Sequence, residues 1–171
     1  MLDGEKNASL AADADDTADI YGSLISFLSE KNFEQYEISN FCKPHMASVH
    51  NLHYWTGDPY LGLGPSAHSF FPPKRFSQKS DLVAFLHGDF AETCSEYDFE
   101  SLLNEMVMLS LRLTAGVDAE SFRVRYGVDL TEKFGWLLER FPEHVIRTVN
   151  GIALTSEGML ISNEIFQEII D

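Results

Sequence analysis

The sequence predicts an α+β fold in which a short helix-and-strand unit and a long loop precede a mainly helical domain. Apolar residues recur at helical spacing near the start and in the last third of the chain. Proline and glycine concentrate between residues 40 and 75, and an Asn150-Gly151 dipeptide separates two short apolar runs. With 44% hydrophobic residues in 171, the chain can bury a core.

The first part begins with a polar leader. Residues 1–16 are rich in Ala and Asp and have no apolar run, so we expect them to be flexible. An amphipathic helix then runs up to Lys31, and Asn32 takes the left-handed position that ends it. Its apolar residues are Ile20, Leu24, Phe27 and Leu28. Residues 33–39 alternate as in a strand, and this helix-then-strand order is typical of α/β barrels.

The middle of the chain is predicted to be loop. Residues 40–75 should contain only two short extended pieces, at 52–55 and 60–63. Loops of this length inside a compact domain are usually functional. A short helix follows at residues 80–86, capped by Ser80 with Asp81 in its first turn.

The last third predicts three helices, a hairpin and a closing helix. The three helices are bounded by Asp98 and Gly116, Asp118 and Gly127, and Asp129 and Phe141. Asn150-Gly151 predicts a type I′ hairpin, because both residues tolerate positive φ. The closing helix covers residues 156–170. This order favours a winged-helix-like domain.

Charge and cysteine content limit the function classes. A net charge of −15 and a pI near 4.6 make nucleic acid and anionic membrane surfaces poor partners. The start of the chain has neither a signal peptide nor a membrane anchor, so we expect a cytoplasmic protein without membrane insertion. Cys42 and Cys94 should be free thiols.

Four stretches carry a family resemblance. They are 36–44, the histidine- and glycine-rich segment 50–69, 109–117 and 154–163. Together they resemble the C-terminal half of the HemN/HemW family, the oxygen-independent coproporphyrinogen III oxidases and related heme chaperones of the radical SAM class. The resemblance runs from about residue 17 to the end. It implies that 17–79 is the end of a TIM-like radical SAM barrel and that 80–171 is the HemN C-terminal-like domain.

The resemblance also implies cofactors. Full-length members use S-adenosylmethionine and a [4Fe-4S] cluster bound by a C-x3-C-x2-C triplet, which two cysteines cannot form. We therefore expect that the cluster-binding half is missing and that this chain alone binds no cluster and does no radical chemistry. A tetrapyrrole is the partner of the parent protein, which either decarboxylates coproporphyrinogen III oxidatively or delivers heme. The HNxxYW motif and the short C-terminal domain favour the chaperone branch.

The HNxxYW motif supplies the main candidate site. His50, Asn51, Tyr54 and Trp55 match a motif associated with heme binding in the chaperone branch. A neutral imidazole is a good iron ligand, and aromatic faces suit a flat macrocycle. The resemblance thus leaves heme open as a ligand, with His50 bound to iron. The alternative is structural: His50 and Asn51 bond to loop backbone while the aromatic rings fill the core.

A glycine-rich stretch supplies the second candidate site. The stretch covers residues 60–68, and in members of the family the matching stretch usually reads GPGAHS and lies close to S-adenosylmethionine. The resemblance therefore implies backbone contact through Gly62, Gly64 and Ala67, because small residues let the backbone approach a ligand. Ser66 replaces the usual glycine, at a cost of about 1 kcal/mol if its φ is positive. A tight turn without ligand is the alternative.

Other polar residues allow weaker hypotheses. Glu37, Ser39 and Asn40 could contact a cofactor or hydrogen-bond the loop that follows them. A zinc site formed by Cys42, His45, His50 and His53 is an alternative.

Two expectations concern partners. The strand at 33–39 would have unpaired edges, so we expect either self-association or local disorder in the first half, with a missing N-terminal half as a further candidate partner. The competing function is a non-catalytic interaction module of the winged-helix type.

Overall fold

The fold is described by a computed structural model that covers residues 14–90 and 92–170, with side chains from residue 18. The predicted leader therefore lies almost entirely outside the described residues. Helices and antiparallel sheets alternate along the chain, which confirms the α+β class.

The first unit is a helix followed by a hairpin. Helix α1 (Ala14–Glu30) ends before Asn32, whose φ of 61° confirms the predicted left-handed position. Strand β1 (Glu34–Glu37) confirms the predicted strand and pairs antiparallel with β2 (Asn40–Cys42). Every strand pair among the described residues is antiparallel, so the relation of this unit to a barrel stays a prediction.

The predicted loop is more ordered than expected. It contains helix α2 (Val49–Trp55), so the extended piece expected at 52–55 is wrong. Ser48 caps α2 by accepting a hydrogen bond from the Asn51 backbone N–H. Tyr60, in the second expected piece, makes an isolated bridge to Phe70.

A three-stranded sheet follows, in the order β3-β4-β5. Its strands and one inserted helix are β3 (His68–Phe71), β4 (Lys74–Gln78), α3 (Leu82–Leu86) and β5 (Glu92–Glu96). The cap of α3 is Asp81 rather than Ser80, because the Asp81 side chain accepts the Ala84 N–H. The boundary predicted at residues 79 and 80 falls inside this sheet, between β4 and β5.

The helical domain follows the predicted boundaries closely. Its helices are α4 (Phe99–Leu111), α5 (Ala119–Tyr126), α6 (Leu130–Phe134) and α7 (Trp136–Arg140). Asp98, Asp118 and Asp129 each cap a helix through their side chains, as expected. The third predicted helix is divided at Gly135, where an added Cβ would lie 2.3 Å from the Thr131 carbonyl oxygen.

A third antiparallel sheet and two helices complete the domain. They are β6 (Val117–Asp118), β7 (Val145–Arg147), β8 (Gly151–Leu154), α8 (Ser156–Leu160) and α9 (Ser162–Ile170). The sheet order is β6-β8-β7, so the hairpin is confirmed. The closing helix is broken at Ile161.

The predicted type I′ turn is wrong. Neither Asn150 nor Gly151 has a positive φ. Instead, the Thr148 hydroxyl oxygen accepts the backbone N–H groups of both residues and closes the loop. Gly151 is required by packing, because a Cβ there would lie 2.0 Å from the Val117 carbonyl oxygen on β6.

A single hydrophobic core connects the β3-β4-β5 sheet to the helical domain. Helix α4 packs against α9, β6 and β8, and contributes Leu103, Val107 and Leu111 to the buried interior. Phe70 of β3, which is 1% exposed, belongs to the same cluster. The β3-β4-β5 sheet therefore shares the core of the helical domain, and Arg75 of β4 also pairs with Glu105 of α4.

Candidate functional site

Helix α2 positions the HNxxYW motif. It starts at the Ser48 cap and ends at Thr56, whose backbone N–H donates to Leu52. Gly57 follows with a φ of 64°, and an added Cβ would lie 2.2 Å from Met106 Sδ of α4. The end of α2 is thus tightly seated against the helical domain.

His50 and Tyr54 lie one turn apart on α2, and Tyr54 is half-buried. They are four residues apart, and their ring centroids lie 4.9 Å from each other at an interplanar angle of 87°. His50 is exposed. Tyr54 also contacts Tyr60, with centroids 4.6 Å apart, and Tyr60 lies 6.2 Å from buried Phe70. A row of aromatic rings therefore connects exposed His50 to the core.

Asn51 and Trp55 face the protein. The Asn51 side-chain amide donates to the Tyr36 hydroxyl at 3.0 Å, and the Trp55 carbonyl accepts from the Ser110 hydroxyl at 3.3 Å. Arg112 Cζ lies 4.5 Å from the centroid of the Trp55 ring. The structure brings His50 and Tyr54 together on one surface, while Asn51 and Trp55 hold α2 in place.

Behind Trp55 lies a buried ion pair. Glu37 is 0% exposed, and its Oε2 atom lies 3.8 Å from Arg112 Nη2. Its Oε1 atom accepts hydrogen bonds from the Ser39 backbone N–H and the Asn40 side chain. Of the two roles expected for Glu37, Ser39 and Asn40, the hydrogen bonds to the following loop are thus present.

The roles of Arg112 and Tyr36 were missed by sequence reasoning. Arg112 lies in the 109–117 stretch, where a basic residue among apolar helical positions was the available signal. Tyr36 lies in the 36–44 stretch, where it was counted only as part of the strand.

The glycine-rich stretch forms a turn leading into β3. An added Cβ at Gly62 would lie 2.1 Å from the His68 carbonyl oxygen, so its missing side chain makes room for the protein's own backbone. Gly64 has a φ of 108° and open space around its Cβ position. The Ala67 N–H donates to the Gly64 carbonyl at 3.2 Å. A ligand contact at Gly62, Gly64 and Ala67 stays a prediction.

Ser66 has a φ of 61°, which is the strained geometry anticipated for a serine in place of glycine. The Ser66 N–H donates to the Lys79 carbonyl at 3.0 Å, and this bond holds the turn against the end of β4. The left-handed conformation costs about 1 kcal/mol or somewhat more for a residue with a Cβ.

A charged cluster lies beside the end of α2. Asp58 lies 2.6 Å from Arg125 Nη2 and 3.5 Å from His53 Nδ1. Burial by itself raises the pKa of the Asp58 carboxyl, but hydrogen bonds from Thr56 and Arg125 outweigh it and hold that pKa below its ordinary value. Arg125 also donates to the Thr56 carbonyl at 2.6 Å, so it connects α5 to the end of α2.

An open apolar groove of about 570 Å³ lies next to this cluster. Its lining residues are Gly57, Pro59, Pro72, Pro73, Tyr97, Phe99, Leu102, Arg125 and Tyr126. The described lining residues include none of the seven predicted site residues. The groove and the exposed His50 imidazole are therefore separate features of the surface.

In the part of the chain that the structure describes, metal-binding side chains are not clustered. Within 14–90 and 92–170, no group of three or more His, Cys, Asp or Glu residues could hold a metal ion, so the zinc hypothesis is wrong for the described residues. Cys42 and Cys94 are free, as expected. In the same ranges, no helix is both long and apolar enough to cross a bilayer.

Comparisons with known proteins agree with the geometry. Residues 98–161 match the HemN C-terminal domain. The chain is similar to the heme chaperone HemW of Bacillus subtilis (strain 168), with 33% identity over 157 residues that cover 87% of this chain and 41% of the relative. It is also similar to the mitochondrial radical S-adenosyl methionine domain-containing protein 1 of Bos taurus, with 40% identity over 129 residues. These residues cover 66% of this chain and 28% of that relative. The chain spans less than half the length of these curated relatives.

One solved structure shows the same fold. Coproporphyrinogen III oxidase (HemN) from Escherichia coli, a radical SAM enzyme, matches with a TM-score of 0.67 at 17% identity, over 92% of this chain and 42% of that one. At this identity the likeness concerns the fold alone.

Proposed function

We propose that this chain, which belongs to the HemN/HemW family and carries its C-terminal domain, binds heme in the manner of a heme chaperone, with His50 as iron ligand. The observation that carries the proposal is the exposed His50 imidazole, stacked edge-on against Tyr54 at 4.9 Å. An accessible neutral imidazole can bind heme iron, and the Tyr54 ring can contact the macrocycle.

Apolar side chains near His50 support the proposal. Met46 is 71% exposed and Val49, beside His50, is 68% exposed. Removing exposed apolar surface of this kind from water by contact with an apolar ligand is favourable. A heme held at His50 could cover them.

The family's other cofactors fit this chain less well. A [4Fe-4S] cluster bound through three thiolates does not fit a chain with two cysteines, of which Cys42 lies on β2 and Cys94 on β5. S-adenosylmethionine has only the open backbone at Gly64 to support it among the predicted glycine contacts. We therefore propose heme binding and delivery, rather than coproporphyrinogen oxidation, as the activity to which this chain contributes.

A hemin titration of the full chain tests the proposal. We expect a shifted Soret band that saturates for the wild type and is lost in His50→Ala. The matched control is His53→Ala, because His53 is also exposed on α2 but pairs with Asp58 instead of Tyr54. Equal spectra for wild type and His50→Ala would refute the role of His50.

The second candidate function is a non-catalytic interaction module. It is favoured by the β6-β8-β7 sheet beside α4 and α5, an arrangement that supports the winged-helix comparison. The charge of −15 disfavours nucleic acid as the ligand of such a module. A wild-type chain that leaves the hemin spectrum unchanged would favour this function.

We also propose that the first unit contacts another polypeptide. The apolar stripe of α1 is exposed, at 63% for Ile20, 44% for Leu24 and 56% for Phe27. Either the remaining part of a longer family member or a second copy of this chain would cover the stripe. The cytoplasm remains the proposed location.

A further inference from the structure

We propose that the free edge of β5 binds an extended segment of a partner protein in which two basic residues flank an apolar residue at alternate positions. Among the residues that the structure describes, β5 pairs only with β4. All five of its residues are exposed. An uncovered strand edge is the surface on which proteins add a partner strand.

The ladder shows which backbone groups are available. The Tyr97 N–H donates to the Pro73 carbonyl at 2.9 Å, just beyond the paired residues Glu96 and Lys74. Hydrogen-bonded and non-bonded pairs alternate along an antiparallel ladder. The N–H and C=O groups of Ser95 and Thr93 therefore point towards β4. Those of Glu92, Cys94 and Glu96 point outwards and are free to pair with a new strand.

The same three residues set the side-chain pattern. Alternation places Glu92, Cys94 and Glu96 on one face of the sheet, beside Gln78, Phe76 and Lys74 of β4 respectively. A partner strand would thus meet an acidic, an apolar and an acidic position in turn, and the last of these, Glu96, also lies 3.5 Å from Lys74 Nζ of β4 in an exposed ion pair. Directly opposed residues of opposite charge stabilise a strand pair, and like charges destabilise it. The complementary segment is basic, apolar and basic at alternate residues.

A second copy of this chain does not meet that requirement. A two-fold antiparallel pair centred on Cys94 would place Glu92 opposite Glu96 of the other copy, so both ends of the pair would be repulsive. The net charge of −15 adds to this repulsion and attracts a basic partner. The edge therefore favours a different, basic polypeptide.

The probe is a short fluorescent peptide in which two lysines flank a valine, with one threonine between each lysine and the valine. A control peptide has glutamate in place of lysine. We expect the lysine peptide to bind the full chain, measured by anisotropy at low salt, and the glutamate peptide to bind at least about tenfold more weakly.

Two substitutions of one residue test the backbone contact. Cys94→Pro removes an outward N–H, and proline is tolerated on an edge strand where the N–H faces solvent. Cys94→Ala is the matched control because it keeps that N–H. We expect Cys94→Pro to bind the lysine peptide about tenfold more weakly than Cys94→Ala. Circular dichroism of both variants verifies that the fold is retained.

A charge reversal provides the second test without altering the backbone. The double substitution Glu92→Lys with Glu96→Lys changes exposed residues only, removes the exposed Lys74–Glu96 pair, and should reverse the preference, so that the glutamate peptide binds better. Equal binding of the two peptides by wild type, or equal binding by the proline and alanine variants, would overturn the proposal. So would a wild-type dimer that Cys94→Pro dissociates, because the occupant would then be a second copy. None of these outcomes bears on heme binding at His50.

Discussion

Replacing Arg112 by Met should destabilise the chain by about 3 kcal/mol, because it leaves the Glu37 carboxylate buried without a cation. Glu37 is 0% exposed, and no hydrogen bond reaches its Oε2 atom within the described structure. Arg112 Nη2, at 3.8 Å, is the cation paired with that oxygen.

The magnitude follows from the geometry. Two unit charges 3.8 Å apart attract by about 4 kcal/mol at an effective dielectric constant of about 20. The Arg112 side chain is 25% exposed, so part of this attraction is screened by water. Loss of the stacking of Arg112 on Trp55 adds about 0.5–1 kcal/mol. A net loss of about 3 kcal/mol is a large fraction of the 5–15 kcal/mol typical of a domain.

A double-mutant cycle isolates the pair. Glu37→Gln should cost about 1–2 kcal/mol, because Arg112 can still reach water and the amide oxygen can still accept from Ser39. Combined with Arg112→Met, it should give a total below the sum by about 1–2 kcal/mol. The assay is urea unfolding followed by circular dichroism. As a control, Arg123→Met breaks only an exposed pair with Glu120 and should not move the urea midpoint measurably. If the effects of Glu37→Gln and Arg112→Met are additive, the ion pair does not couple β1 to the segment that follows α4.

Two further predictions concern stability. Gly151→Ala should destabilise by about 1–3 kcal/mol in the same assay, because its Cβ would lie 2.0 Å from the Val117 carbonyl. Gly22→Ala, which meets nothing within 4 Å on α1, should instead stabilise by about 0.5–1 kcal/mol, and a similar loss in both variants would contradict this reasoning. Because the pKa of Asp58 is lowered, its contribution is present above its unfolded-state pKa of about 4 and is lost as pH falls through the folded-state value. Thermal unfolding between neutral and acid pH should therefore show a smaller pH dependence in Asp58→Asn, and an unchanged profile would contradict the assignment.

Helix boundaries in the last third were predictable because their signals are local. Asp98, Asp118 and Asp129 cap helices with their own side chains, and Gly127 ends α5 with a φ of 71°. Each signal depends only on residues within one turn of the helix end. Such patterns keep their meaning whatever packs around them.

The middle of the chain was misinterpreted because its order depends on distant contacts. β3 and β4 flank Pro72-Pro73, which indicated loop, and β4 gains a second neighbour only from β5. Aromatic residues at 52–55 suggested a strand. The helix there is stabilised by the Ser48 cap and by the seating of Gly57 against Met106. The contact between Gly57 and Met106 joins residues far apart in the sequence, so a local sequence pattern does not predict it.

The candidate site was predicted as a set of residues but not as a surface. The HNxxYW motif suggested four ligand contacts, while the structure exposes His50 beside a half-buried Tyr54 and uses Asn51 and Trp55 to contact the rest of the protein. Gly151 shows the same limit, because its local signal indicated a turn and its actual constraint is the β6 backbone. The residues of the candidate site were thus easier to predict than the directions in which their side chains point.

Helix α4 is joined to the first part of the chain at its middle and just after its last residue. Glu105 pairs with Arg75 of β4 at 2.6 Å, and Arg112, just after α4, pairs with Glu37 of β1. A polypeptide excised at residues 98–161, the limits of the family match, would leave Glu105 and Arg112 without their counter-ions and uncover the surface on which Phe70 packs. The segment that matches the family's domain is therefore shorter than the segment that we expect to unfold as one cooperative unit.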